Sequence, residues 1–249
     1  MESSFFLVDH LSISFGGIKA LQDISFTMNK GEIFSVIGPN GAGKTTLFNC
    51  ISGLYKPDQG NIQFNGRSIE NKKPDTIARM GIARTFQNIE LFSNMNTMEN
   101  IMLGRHIHMT TGLFKGMFLW GKKSSAGKEE IKHRERVEEI IDLLELQNVR
   151  DKFVGALPYG TQKLIELGRA LALEPDLLLL DEPCAGMNSE EKQDMIFWIK
   201  DIQDELGISI LLIEHDMKMV MDISSRVLAI NFGKQVTLGT PEQVQQNKE

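Results

Sequence analysis

The chain has 249 residues and a mass of 28.0 kDa, the size of one large domain or two small ones. Its 41% hydrophobic and 24% charged residues are those of an ordinary globular protein and exclude an intrinsically disordered chain or a collagen-like fibre. With 27 Lys+Arg against 33 Asp+Glu, the net charge of -6 argues against a sequence-independent nucleic-acid binder.

Short strands separated by turns are predicted first: Phe5–Val8, Leu11–Phe15, Asp23–Met28 and Ile33–Ile37, with Gly16-Gly17 and Asn29-Lys30-Gly31 between them. A Gly-rich loop follows Ile37. Thr45 to Leu54 then carries Leu47, Phe48, Ile51 and Leu54 at helical spacing, stopped by Gly53 and Pro57. Residues 61–69 alternate as a strand with Asn65-Gly66 as its turn, and Pro74 opens a short helix over Lys73–Met80. From about 89 to 156 strand signals vanish, and Lys128–Leu146 is predicted as a charged amphipathic helix. Thr110–Gly127, with its apolar Gly116–Trp120 cluster, is expected to be a surface insertion. Helix Gln162–Leu173, strand Leu177–Leu180, helix Ser189–Leu206 and strand Ile208–Ile213 then alternate, the signature of a parallel sheet with crossover helices. Val227–Ile230, Lys234–Gly239 and a helix from Pro241 close the chain.

No window reaches the roughly 20 apolar residues of a membrane span, and Met1-Glu2-Ser3-Ser4 lacks the basic start of a signal peptide. A cytosolic chain is expected. Cys50 and Cys184 are too few and too distant for a disulfide framework or zinc cluster, and are expected to be reduced.

Gly38-Pro39-Asn40-Gly41-Ala42-Gly43-Lys44-Thr45, followed by Thr46, matches the phosphate-binding loop G-x-x-x-x-G-K-[ST]. Glycines let backbone amides turn toward phosphate, the following helix presents its positive end, Lys44 reaches the β and γ phosphates, and Thr45 is placed to ligate magnesium. Leu177 to Leu180 is a buried strand ending in Asp181-Glu182, at the edge where open α/β sheets bind ligands. Asp181 would hold the metal and Glu182 would act as general base on the attacking water. Kinases, GTPases and recombinases share these two features. Asn71-Lys72-Lys73-Pro74-Asp75 misses the spacing of a guanine reader and lies too early, which sets the GTPase reading aside.

Further motifs in fixed order make the chain similar to the ATP-binding subunits of ABC transporters over essentially its whole length. Thr85-Phe86-Gln87-Asn88 resembles the glutamine loop. Leu157-Pro158-Tyr159-Gly160-Thr161-Gln162 stands in the place of the signature sequence, Ala185-Gly186-Met187-Asn188 in that of the dimer loop, and Ile213-Glu214-His215-Asp216 in that of the switch histidine. The resemblance implies an α/β P-loop NTPase fold with a mainly parallel central sheet and an N-terminal antiparallel β-subdomain. A helical subdomain over 89–161 would be inserted into a core of 1–88 and 162–249. It further implies that Gln87 contacts magnesium and the attacking water, that His215 bonds the γ-phosphate, and that Phe15 stacks on adenine. Pro158 replaces the usual signature serine and lacks an N–H, so this signature offers fewer phosphate donors.

The Tyr-Gly signature, the dimer loop, Met217 after Asp216 and the Thr111–Phe114 stretch resemble one subgroup, the ATPases of branched-chain amino acid importers, and the first of its two ATPase subunits in particular. That subgroup implies ATP and Mg2+ as ligands and a head-to-tail dimer with itself or a second ATPase. Multi-span permease subunits would be its partners, with a solute-binding protein indirectly and no nucleic acid, and it would sit peripherally at the cytoplasmic face of the membrane. The alternatives are the ATPase of a urea or lipid transporter, or a soluble ABC ATPase.

Overall fold

The computed structural model describes residues 4–109 and 125–246, without the side chains of 125–128. The Thr111–Phe114 stretch and the Gly116–Trp120 cluster lie outside the described residues. The chain divides into two compact units, one formed by 1–87 with 176–249 and the other by 88–175.

In the first unit, β1 (Phe6–Phe15) and β2 (Ile18–Met28) form an antiparallel hairpin across Gly16-Gly17, flanked by β4 (Gln59–Phe64) and the two-residue β5 (Arg67–Ser68). The two strands expected at 5–8 and 11–15 are one strand. Its register shifts between Val8 and Leu11, and His10 has a φ of 51°, so a β-bulge interrupts the alternation that sequence reading takes for a break. Phe6, Val8, Leu11 and Ile13 all point inward despite the bulge.

The parallel strands are β3 (Ile33–Ile37), β6 (Ile82–Arg84), β7 (Leu177–Asp181) and β8 (Ser209–Ile213), and β9 (Arg226–Asn231) runs parallel to β3. β7 and β8 are buried at every position, as strands covered on both faces should be. With β10 (Lys234–Gly239) the sheet order is β5-β4-β1-β2-β10-β9-β3-β8-β7-β6, the antiparallel layer joining the rest where Lys234 pairs with Gln22. The mainly parallel α/β fold with an antiparallel layer is the one expected. β6, at the edge, was not anticipated, because three residues carry no readable period.

α1 (Lys44–Ile51) buries Leu47, Phe48 and Ile51 on a core that includes Phe34, with Phe26 and Phe34 stacked at 5.0 Å between ring centroids. Cutting such a buried ring back to Ala costs about 3–5 kcal/mol. The remaining helices of this unit are α2 (Pro74–Arg79), α6 (Ser189–Leu206), the unexpected α7 (Met217–Ile223) and α8 (Pro241–Gln246). Asp216 caps α7 by accepting from the Lys218 and Met219 amides.

The second unit is helical among its described residues: α3 (Thr97–Gly104), α4 (Ser125–Leu143) and α5 (Tyr159–Leu171), with short 3-10 turns. Asn96 and Glu99 form a capping box on α3. Fully buried Asn100 accepts from the Phe92 amide and donates to the Phe92, Met95 and Asn96 carbonyls, fastening the preceding loop. The unit runs on to Pro175 where the sequence reading ends the helical subdomain at 161. Gly168 of α5 faces Ile101 of α3 and Ile140 of α4, so the helix after the signature packs with the helices before it. α5 also begins at Tyr159 where a start near Gln162 was expected, with Pro158 in the N-cap position.

Candidate nucleotide-binding and catalytic site

The loop between β3 and α1 is built from local rules. Gly43 has a φ of 107°, and a Cβ there would lie 2.6 Å from the Ala20 carbonyl oxygen of β2 and 2.8 Å from Leu21 Cδ2, so only glycine lets the loop lie against β2. No side chain caps α1, and its first-turn amides can serve an anion. Lys44 is buried and donates its Nζ to the carbonyls of Gly38 at 2.7 Å and Pro39 at 3.2 Å, folded over its own loop. Thr45 is exposed and Thr46 half-buried. The nine residues Gly38 to Thr46 line a cleft of about 1010 Å³ whose walls also include Gln87, Glu182 and His215.

The acidic end of β7 divides in two. Asp181 is buried, and its Oδ2 accepts from Arg84 Nη2 at 2.8 Å. Burial pushes its carboxyl above the ordinary value, with the Arg84 guanidinium pulling the other way. Glu182 turns outward with a φ of 50°, a strained backbone of the kind found at working sites. Its Oε2 accepts from Gln87 Nε2 at 3.0 Å, and its Oε1 lies 3.8 Å from His215 Nδ1. Behind them Glu214 is fully buried, one oxygen accepting from the Cys184 amide and the other from the His215 amide, both at 3.1 Å. One carboxylate thus fixes the start of the 185–188 loop and the segment carrying His215.

Ala185 to Asn188 form that loop between β7 and α6. Met187 is buried, and Asn188 caps α6 in a capping box with Glu191. In the other unit Leu157 is buried, Tyr159 is 42% exposed, and Gln162 Nε2 donates to the Leu157 carbonyl at 2.8 Å. Gly160 is buried and Thr161 half-buried. Phe15 ends β1 with its ring edge-on to Tyr55, 5.1 Å between centroids, and is not among the residues that line the cleft. Ile18, Lys19, Gln22 and Phe232 line it instead, and sequence reading missed them. Phe232, 81% exposed with a φ of 45° in the turn before Gly233, had left a signal as an apolar residue in a turn. Arg84 was missed as well.

A carboxylate flanked by an amide and an imidazole can orient a water and accept its proton, and Lys44 supplies charge for a phosphoryl group. The donors suit a hard divalent cation: the Thr45 hydroxyl, the Gln87 amide oxygen and the Asp181 carboxylate. Among the described residues no three His, Cys, Asp or Glu cluster as a metal site. With two neutral oxygens and one carboxylate on offer, an ion here would keep water ligands and bind with nucleotide phosphates, as Mg2+ does.

The family profile described as ABC transporter matches residues 21–185. This chain belongs to the ABC transporter ATPases. The ATPase is 40% identical over 247 residues to the high-affinity branched-chain amino acid transport ATP-binding protein LivG of Salmonella typhimurium, covering 99% of this chain and 96% of that one. It is 38% identical to the corresponding protein BraF of Pseudomonas aeruginosa, covering 96% and 93%. Among solved structures, a nucleotide-free ATP-binding cassette from an ABC transporter matches with a TM-score of 0.84 at 30% identity, over 99% of this chain and 96% of the other. An ABC transporter cassette in its ADP conformation matches with a TM-score of 0.83 at 30% identity, over 98% and 94%. As an ABC ATPase the chain is an ATP-binding, ATP-hydrolysing transporter subunit. Among its described residues no helix is long and apolar enough to cross a membrane.

Proposed function

We propose that this ATPase drives an importer of branched-chain or other hydrophobic amino acids. It works from the cytoplasmic face of the membrane on multi-span permease subunits fed by a solute-binding protein. The catalytic unit is a head-to-tail pair with itself or a second, similar ATPase. The cargo reading is supported by the near full-length similarity to LivG and BraF, both named for branched-chain amino acid transport.

The observation that carries the catalytic reading is Gln87, Glu182 and His215 meeting over the phosphate-binding loop, with Gln87 Nε2 3.0 Å and His215 Nδ1 3.8 Å from the Glu182 carboxylate. Lys44 exchanges its two carbonyl partners for β and γ phosphate oxygens, and the amides of Gly41 to Thr45 wrap the phosphates. Glu182 takes the proton of the attacking water, Gln87 holds that water, and His215 bonds the γ-phosphate. Thr45, Asp181 and Gln87 hold Mg2+, which when bound neutralises charge building on the phosphoryl oxygens. Leu157 and Tyr159 to Gln162 complete the opposite subunit's site, and Ala185 to Asn188 lie at the seam.

The test is to tag a Glu182→Gln variant, trap it with ATP, extract native membranes in mild detergent and identify what co-purifies. Two multi-span proteins, a second ATPase and a solute-binding protein that binds a branched-chain amino acid are expected. Recovery of soluble partners alone, with the variant absent from membranes, would discard the transport reading.

A further inference from the structure

Arg84 ends the edge strand β6, three residues before Gln87, and its side chain is only 8% exposed. Its guanidinium joins three parts of the site. Nη2 donates to Asp181 Oδ2 at 2.8 Å, and Nη1 donates to Asn49 Oδ1 at 2.7 Å and to Ser52 Oγ at 3.1 Å. Asn49 belongs to α1 and Ser52 follows it, so these two bonds anchor the arginine to the helix that begins at Lys44 and Thr45. The flat cation also lies 5.6 Å from the Phe48 ring centre and 5.0 Å from that of Phe86, the residue before Gln87. A planar fork held at two ends fixes a carboxylate's rotation in a way that a point charge on a flexible stem does not.

We propose that Arg84 is the positioning residue for the metal-binding carboxylate: by engaging Oδ2 it commits the other oxygen of Asp181 to the Mg2+ of the bound nucleotide. Through Phe86 it ties that orientation to the glutamine segment. Arg84 touches neither nucleotide nor metal. The inference rests on the reading of Asp181 as a metal-holding residue, and the experiment separates the two.

The affinity of the purified protein for a fluorescent ADP analogue is measured with Mg2+ and with EDTA, for wild type, Arg84→Met, Arg84→Lys, Asn49→Leu and Asp181→Ala. In Arg84→Met the Mg2+-dependent gain in affinity should fall at least about ten-fold, the size of effect seen when a ligand's supporting partner is lost. Its affinity in EDTA, set by the phosphate-binding loop, should stay within about two-fold on the same reasoning. Arg84→Lys should recover part of the gain, and Asn49→Leu, which loosens the anchor without touching Asp181, should lose a smaller part. Circular dichroism checks folding, and if Arg84→Met does not fold, the Lys and Asn49 variants carry the test. Equal losses with and without Mg2+, or no change in the gain, would overturn the role of Arg84 if Asp181→Ala has lost it. An unchanged gain in Asp181→Ala would instead overturn the reading of Asp181.

Discussion

Two glycines of the phosphate-binding loop offer a graded test of how the loop is held. Gly41 has a φ of 79° with nothing within 4 Å of a Cβ built on it, whereas Gly43 has a φ of 107° and its Cβ would lie 2.6 Å from the Ala20 oxygen. Gly41→Ala therefore meets only the left-handed backbone cost, about 1–2 kcal/mol. Gly43→Ala meets a strain of about 1–3 kcal/mol and an overpacking cost of about 1–3 kcal/mol as β2 is pushed back, about 2–6 kcal/mol together. At a urea m-value of about 3 kcal/mol/M, the midpoint should drop by about 0.3–0.7 M for Gly41→Ala and about 0.7–2 M for Gly43→Ala. The assay is urea unfolding followed by circular dichroism, with binding of a fluorescent ATP analogue measured alongside. Gly43→Ala should lose more affinity too, since the loop must lift from β2. Equal midpoints, or a larger loss for Gly41→Ala, would refute the idea that contact with β2 sets the loop's position.

Asn188→Ala removes a side chain that accepts from the Glu190 and Glu191 amides at 2.9 and 3.0 Å, and should cost about 1 kcal/mol in the same unfolding assay; no change would mean the cap is not formed. Burial pushes the Cys50 thiol up to about 12, so mass spectrometry should find it unalkylated in the native protein at pH 8 and alkylated in urea; rapid native labelling would contradict its burial. Hydrogen bonding and charge from Asp23 hold the His10 imidazole above its ordinary 6.5. Whatever stability this exposed pair adds is present below 6.5 and lost as pH rises through the raised value. NMR titration should show His10 titrating above 6.5 in wild type and lower than wild type in Asp23→Asn; identical titrations would remove Asp23 as the cause.

What sequence could show of this site was whatever chemistry demands at short range. Residues 38–46 and Asp181-Glu182 each lie within a few positions of one another, because phosphate binding needs consecutive amides and a strand end can offer adjacent acids. Gln87 and His215 were legible through motif order, and the structure brings both to Glu182. Arg84 was invisible because its partners lie far from it in the chain, Asn49 and Ser52 at the end of α1 and Asp181 at the end of β7, and its strand has only three residues. The bulge at His10 hid the length of β1 by breaking its alternation. The short α7 went unread because it has no proline to mark its start, the signal that betrayed the equally short α2 and α8. The unit boundary at Pro175 was missed because α5 packs by tertiary contact with α3 and α4, which no local signal announces.

The central claim, that Glu182 activates water over a nucleotide held by the 38–46 loop, is tested most directly by phosphate release from ATP. It is measured for wild type and Glu182→Gln, with ATP affinity read on the same samples. Turnover should fall at least about 100-fold, the contribution of a positioned general base, with ATP affinity unchanged within about three-fold because the variant spares the binding loop. Turnover sustained at the wild-type rate in Glu182→Gln would contradict the claim.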